Sequence, residues 1–190
     1  MVKNYFKAIR IKNLGLLSLL FWGLMLHNYS ESFSIKTDQI LLFLSIITTT
    51  AAGYLINNYF DLKSDVINNK NISGLSKKKY CLLYLAHVLL SFIFLFASDI
   101  SSAWIQLVMV CHFIIYLYSL KLQHWPLIGN LVVSLLCSIV VFIPYWIFND
   151  HWTFKSLDLL GNVNEVFVIF CFLFTIKREI IKAMDVFEGE

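Results

Sequence analysis

The chain alternates between long apolar runs and short polar connections. Six runs are apolar enough to predict helices, approximately Leu14–Leu26, Ile40–Asn57, Tyr80–Ala97, Ala103–Leu120, Leu127–Phe148 and Val163–Ile180. Long continuous runs favour helices over the alternating strands of a membrane barrel. The pattern predicts an all-α protein, a multi-pass transmembrane helical bundle of about six helices. We expect these helices to form one membrane-embedded domain over residues 1–190.

Composition agrees with a membrane protein. Hydrophobic residues make up 59% of the 190 residues and charged residues only 14%, with a mean hydropathy of +0.74. A soluble domain has about 45–50% apolar and about 25% charged residues. One small soluble core could not bury this excess, so the bilayer is the expected solvent.

The basic residues predict an orientation. Thirteen of the 15 Lys and Arg residues fall in the termini, the 58–79 connection, the 121–126 connection and the end of the last run. The other two, Lys36 and Lys155, lie in connections on the opposite side. The positive-inside rule then places both termini in the cytoplasm, as expected for a protein of the cytoplasmic (inner) membrane. This bias accounts for the net charge of +3, so the charge calls for membrane lipids and no nucleic acid.

Three polar residues follow the second apolar run at four-residue intervals: Asn57, Asp61 and Asp65. A step of four on a helix drifts by only about 40°, so the three side chains share one face. Ionisable groups next to a membrane span are costly and usually functional. We call these three residues the polar ladder, and the predicted orientation puts it on the cytoplasmic side.

The polar ladder has the chemistry of a metal and phosphate site. Mg²⁺ prefers hard oxygen ligands and often combines one or two carboxylates with substrate phosphates. Together with an apolar cavity, such a site indicates an isoprenoid diphosphate, whose departing diphosphate the metal would neutralise. The alternative is that Asp61 and Asp65 only form a solvated helix end. Asn57 in the same register favours the functional interpretation.

Three segments together resemble the UbiA superfamily of intramembrane prenyltransferases. The polar ladder matches the family's N-x-x-x-D-x-x-x-D motif at the end of the second helix. Tyr116-Leu-Tyr118-Ser119, followed by Pro126-Leu-Ile-Gly129-Asn130, is similar to the family's region between helices four and five. Lys177-Arg178-Glu179-Ile-Ile-Lys182, with Glu188-Gly189 beyond, is similar to the R-E-x-x-K segment before the second acidic motif.

The resemblance implies a function and further site residues. It implies Mg²⁺-dependent transfer of a prenyl group from an isoprenoid diphosphate to a lipid-soluble or amphipathic acceptor. Asn57, Asp61 and Asp65 would be the catalytic and metal-binding residues. The Arg178–Lys182 and Pro126–Asn130 segments look closest to the branch of the family that prenylates geranylgeranylglyceryl phosphate. The resemblance also implies substrate-binding residues around the head-group pocket: Tyr118, Arg178, Lys182, Asp185 and Glu188.

The chain departs from the family pattern in three places. Ala183 stands where the first aspartate of the second acidic motif is expected. The loop after the polar ladder lacks the family's K-P-x-R stretch, and six helices are predicted where nine are usual. A fragment, a chain completed by a partner and a degenerate relative all remain open, although altered motif residues favour degeneration. The alternative function is a non-catalytic membrane binding protein.

Two histidines fall inside apolar runs, His87 and His112. Neither has a metal-ligand partner at a suitable spacing. We expect both side chains to be buried and hydrogen-bonded.

Overall fold

A computed structural model of the chain describes residues 2–28, 35–67, 74–125, 127–149 and 163–187. Within the helices, the side chains of residues 28, 63–67, 145, 146, 148, 149, 163–165 and 182–187 are outside the description. The described part contains seven α-helices and one short 3₁₀ turn, without strands: α1 Val2–Ala8, α2 Ile11–Asn28, α3 Thr37–Ile67, α4 Lys77–Phe96, α5 Ser102–Leu120, the 3₁₀ turn Leu122–His124, α6 Ile128–Asn149 and α7 Val163–Phe187. The predicted all-α fold class is confirmed.

Three helices in the described residues are long and apolar enough to cross a membrane. They are residues 37–62 of α3, the whole of α4 and the whole of α5. Helices α1 and α2 pass the same test as a pair that bends by 58°, which makes a fourth, broken span possible. Helix α6 has a shorter apolar stretch, Ile128–Pro144.

The described helices fall into two compact units. The first covers residues 1–18 and 35–120, and in it α3 packs along both α4 and α5. The second covers residues 19–34 and 121–190, and in it α6 packs along α7. The prediction of one domain is not tested by this division and stays a prediction.

The core of the first unit lies where the α1–α2 corner meets α3 and the start of α4. Buried apolar side chains from these elements form one cluster: Ala8, Ile9, Leu14, Ala51, Leu55, Leu75 and Tyr80. The Ser76 hydroxyl caps α4 by accepting a hydrogen bond from the Lys79 amide at 3.4 Å. An N-cap serine satisfies one of the free amides at a helix start.

Helix α3 carries three consecutive threonines inside its apolar stretch. Thr48 and Thr50 donate their hydroxyls to the backbone carbonyls of Leu44 and Ile46, at 2.8 and 2.9 Å. Side chains that bond to their own helix can be buried without an unpaired donor. Thr49 lies between them and bonds instead to a neighbouring helix, which leaves this one hydroxyl for tertiary contacts.

Candidate functional site

The structure brings Asn57 and Asp61 together on one face of α3. The side-chain amide of Asn57 donates to Asp61 Oδ2 over 2.6 Å, and both side chains are half-buried. Since a carboxylate can only accept, the Asn57 atom that faces Asp61 is its nitrogen. The amide oxygen of Asn57 and the other carboxylate oxygen of Asp61 then form a pair of hard oxygen acceptors one turn apart.

Asp65 lies on the same unbroken helix. Helix α3 continues ten residues beyond Asn57 to Ile67, so the backbone of Asp65 is one turn past Asp61. Its side chain is outside the described residues. The four-residue spacing of the polar ladder is therefore a helical spacing throughout.

The corner between α1 and α2 holds the polar end of α3. Asn58 donates its amide to the Ala8 carbonyl at 3.0 Å, and Asn13 donates to the Tyr54 hydroxyl at 3.3 Å. The Arg10 guanidinium lies 4.9 Å from the centre of the Tyr54 ring. A cation over an aromatic face is attracted by about 0.5–1 kcal/mol at exposed sites. These contacts fix α3 around the start of the polar ladder.

A second cation lies over another tyrosine of α3. Lys77, the first residue of α4, places its Nζ 4.6 Å from the centre of the Tyr59 ring. Arg10 and Lys77 thus bring two positive charges to the segment of α3 that carries Asn57 and Asp61. Positive charges at this end of α3 add to its attraction for an anion.

Helix α5 brings its aromatic segment to the same level of α3. The Tyr116 ring meets the Phe60 ring edge to face, with centroids 6.1 Å apart. Tyr118 is half-buried, and Ser119 is buried at 1% exposure. The Ser119 hydroxyl has no hydrogen-bond partner among the described residues. The sequence indicates Ser119 only as part of the Tyr116–Ser119 match, because the burial of one hydroxyl leaves no pattern in a sequence.

The remaining predicted site residues belong to the second unit. Arg178 pairs with its neighbour Glu179, with Nη2 2.8 Å from Oε1, and Glu179 is buried while Arg178 is exposed. Lys182 and Asp185 lie on α7, but their side chains are outside the description, as is the whole of Glu188. The prediction that these residues share a head-group pocket with Asn57, Asp61 and Tyr118 spans both units and stays a prediction.

The donor set at the polar ladder fits a hard divalent cation. Carboxylate and amide oxygens are ligands that Mg²⁺ accepts, and it commonly takes few protein ligands and completes its shell with phosphate and water. Among the side chains that the structure describes, no three His, Cys, Asp or Glu residues come together as a metal cluster. Asp65 is not among those side chains. The predicted chemistry does not require a metal shell made of protein ligands alone.

Comparison with known proteins identifies the family. The model of the UbiA prenyltransferase family matches residues 16–189. The chain is 30% identical over 166 residues to a digeranylgeranylglyceryl phosphate synthase of Methanobrevibacter smithii, a match that covers 83% of this chain and 56% of the relative. It is 32% identical over 164 residues to a synthase of the same name from Thermococcus sibiricus, covering 82% and 53%.

A third relative matches along the whole chain. The digeranylgeranylglyceryl phosphate synthase of Sulfurisphaera tokodaii is 28% identical over 199 residues, which cover 100% of this chain and 66% of the relative. No solved structure is significantly similar to the chain. The chain therefore spans about half to two-thirds of the length of the curated relatives it matches. Because the family model matches nearly the whole chain, the protein belongs to the UbiA prenyltransferase family.

Proposed function

We propose that the chain binds an isoprenoid diphosphate at the polar ladder and transfers its prenyl group to an amphipathic lipid acceptor. The observation that carries this proposal is the Asn57–Asp61 hydrogen bond on an unbroken α3, at the polar end of a candidate membrane span. Polar oxygens at the edge of an apolar span suit a substrate with a charged head and an apolar tail. The names of the relatives support the same reaction class.

Asn57, Asp61 and Asp65 are the residues that would hold Mg²⁺, together with diphosphate oxygens. The bound ion would supply neutralisation of the negative charge that collects on the departing diphosphate. Arg10 and Lys77 add positive charge at the same end of α3. We assign them to attraction of the diphosphate, since the neighbouring carboxylates alone would repel it.

The names of the relatives suggest the two substrates. A digeranylgeranylglyceryl phosphate contains two geranylgeranyl groups, so the last step joins one of them to geranylgeranylglyceryl phosphate. The bond between the allylic carbon and the diphosphate oxygen breaks, and its electron pair leaves with the diphosphate. The acceptor hydroxyl oxygen bonds to that carbon, and its proton passes to the departing diphosphate. Apolar helix faces exclude water from the allylic centre.

A second candidate is donor binding without turnover. Ala183 stands where an aspartate of the second acidic motif is expected, so half of the usual diphosphate site is altered. Such a chain would act as a membrane protein that binds isoprenoid diphosphates. It predicts Mg²⁺-dependent binding by the polar ladder and no transfer of the prenyl group.

Binding of radiolabelled geranylgeranyl diphosphate to the chain in lipid nanodiscs tests the proposal. We expect binding that requires Mg²⁺ and that Asp61→Asn weakens at least tenfold, because the substitution removes a negative charge that attracts the divalent cation. Asp38→Asn is the matched control, since Asp38 lies in the first turn of α3, at the end opposite the polar ladder. Its affinity should equal that of the wild type.

Two outcomes contradict the proposal. Wild-type chain that binds no donor with Mg²⁺ present overturns it, and so does equal loss in the Asp61 and Asp38 variants. Incubation with geranylgeranylglyceryl phosphate then separates the two candidates. Appearance of the doubly prenylated product supports transfer, whereas binding without product supports the non-catalytic alternative.

A further inference from the structure

The three long helices of the first unit meet at one buried imidazole. His112 on α5 is only 8% exposed, and its Nε2 lies 2.8 Å from the Ser91 hydroxyl on α4. The same Nε2 lies 3.3 Å from the Thr49 hydroxyl on α3. Ser91 and Thr49 are buried as well. One side chain therefore links all three candidate membrane spans through hydrogen bonds.

The neighbours of the imidazole indicate which nitrogen carries the proton. Ser91 donates its only hydroxyl proton to the Val88 carbonyl at 2.8 Å, so towards His112 its oxygen accepts. Nε2 must then be the protonated nitrogen, by assignment from the hydrogen-bond pattern. Nδ1 has no partner among the described residues, which leaves it a bare acceptor. An unpaired buried acceptor is a smaller cost than an unpaired donor.

This link lies on α3 about two turns before the polar ladder begins, with the side-chain direction turning by about 80° between Thr49 and Asn57. Along α3, Thr49, Gly53, Asn57 and Asp61 follow one another at intervals of four residues. Asn57 is thus about 12 Å along the helix axis from Thr49. One turn after His112 on α5, the Ile115 Cγ2 atom lies 3.3 Å from the position of a Cβ built on Gly53. A hydrogen bond and a close approach therefore fix α3 against α5 in consecutive turns.

We propose that His112 is a positioning residue for the polar ladder: it locks α5 and α4 to α3, and so fixes where Asn57 and Asp61 present their oxygens. The assignment of a ligand to the polar ladder rests on the proposed function above. In lipid, helices gain nothing from burying apolar surface against each other, so hydrogen bonds and small residues set how they pack. Polar groups inside membrane spans are costly and functional as a rule.

Three substitutions at His112 distinguish the contribution of Nε2 from those of Nδ1 and of the aromatic ring. A glutamine amide reaches to the position of Nε2, so His112→Gln keeps a donor towards Ser91 and Thr49. An asparagine amide reaches only to the position of Nδ1, so His112→Asn loses the link, and His112→Phe loses it while keeping an aromatic ring. We expect Mg²⁺-dependent donor binding near wild type for Gln and about three- to tenfold weaker for Asn and Phe, as interhelical hydrogen bonds in membranes suggest.

A readout that needs no ligand follows the packing of the helices. In a background with the four native cysteines replaced, Gly53→Cys and Ile115→Cys place two thiols at the close approach of α3 and α5. We expect rapid disulfide crosslinking with His or Gln at position 112, and slower crosslinking with Asn or Phe. Ser91→Ala and Thr49→Val remove one partner each and provide milder variants if a substitution at His112 prevents folding.

The two readouts distinguish this proposal from the proposed function. If Gln, Asn and Phe variants bind the donor as the wild type does, His112 does not position the polar ladder and the proposal is overturned. If the wild type binds no donor, the proposed function fails, and crosslinking alone tests the role of His112. Equal crosslinking rates in all variants would then show that His112 does not fix α5 against α3. Wild-type behaviour of the Gln variant in both readouts supports the proposal. A general loss of stability would not distinguish a side chain with a nitrogen at the Nε2 position from one without it.

Discussion

Asn57 and Asp61 form a polar pair at a place where a polar pair gives little stability. A hydrogen bond between side chains one turn apart stabilises a helix by about 0.2–0.5 kcal/mol. This is small against the cost of keeping a carboxylate and an amide half-buried beside an apolar span. We therefore propose that the pair serves to bind a ligand, since it adds little to the stability of α3.

For individual residues, the sequence predicts hydrogen-bonded pairs within one helix and misses hydrogen-bonded pairs between helices. The four-residue spacing predicted that Asn57 and Asp61 share a face, and their hydrogen bond agrees with it. Burial and hydrogen bonding of His87 and His112 are confirmed. Their partners could not be predicted, because Tyr5 lies 82 residues from His87 and Thr49 lies 63 residues from His112. Only the packing of helices brings such residues together.

Gly53 gives a prediction about the contact between α3 and α5. A Cβ at this position would meet the Ile115 side chain at 3.3 Å, so we expect Gly53→Val to overpack the contact and to lower stability by about 1–3 kcal/mol. Thermal unfolding in detergent measures the loss, and Ile115→Ala in the same chain should restore part of it. At Gly15, where an added Cβ would meet no atom from outside the local helix within 4 Å, the same substitution is the control and should change little. Equal losses at both glycines would contradict the prediction.

The apolar runs mark both ends of α4 and α5 within about three residues, whereas for α3 the helical end was indicated by the polar ladder and not by the apolar run. Apolar runs define α4 and α5 because these helices end where the apolar residues end. Helix α3 instead continues ten residues past the predicted Asn57, through Asp61 and Asp65. Hydropathy reports where a helix is buried, and charged residues extend a helix into polar surroundings as readily as apolar ones. The same reasoning explains why α7 reaches Phe187.

The joint between α1 and α2 had no signal in the apolar pattern. Ile9 is buried, and Arg10 adopts a left-handed backbone conformation with φ 52°. Such a conformation usually belongs to Gly or Asn, and costs other residues about 1–2 kcal/mol. The Tyr54 ring beneath the Arg10 guanidinium offsets part of that cost. The bend of 58° between the two helices thus depends on a contact with α3 that neighbouring residues do not encode.

Arg10 gives a prediction about this joint. Arg10→Ala and Arg10→Gly both remove the contact with Tyr54, but only alanine keeps a Cβ in the left-handed conformation. We expect the glycine variant to be more stable than the alanine variant by about 1 kcal/mol, measured by thermal unfolding. At Leu16, exposed within α2, the order should reverse, because glycine weakens a helix interior by about 1 kcal/mol relative to alanine. The same order at both positions would show that Arg10 is not strained.

At the scale of the whole molecule, the distribution of charge says more about orientation in the membrane than hydropathy says about the number of crossings. Three described helices qualify as spans outright and one bent pair as a fourth, so the count of crossings is not fixed by apolar length alone. Thirteen of 15 basic residues nevertheless fall on one predicted side. We propose on this basis that the chain is a multi-pass protein of the cytoplasmic membrane, with both termini and the polar ladder on the cytoplasmic side.

Cysteine labelling in intact cells tests this orientation. Lys36 and Lys78 are both exposed, and they lie at the starts of α3 and α4, at opposite ends of the first unit's antiparallel pair. In a background without the four native cysteines, Lys36→Cys should react with a membrane-impermeant maleimide in intact cells. Lys78→Cys should react only after the membrane is opened, because the positive-inside rule keeps the basic connection in the cytoplasm.

Labelling in detergent is the control for accessibility of the two thiols. Both variants should react fully in detergent, where no membrane protects either thiol, so a difference in intact cells reports sidedness and not burial. Labelling of Lys78→Cys in intact cells would put the 58–79 connection outside. The polar ladder at the end of α3 would then face away from the cytoplasm, and an isoprenoid diphosphate made in the cytoplasm could not reach Asn57 and Asp61 without crossing the bilayer. The orientation and the proposed donor site therefore depend on the same measurement.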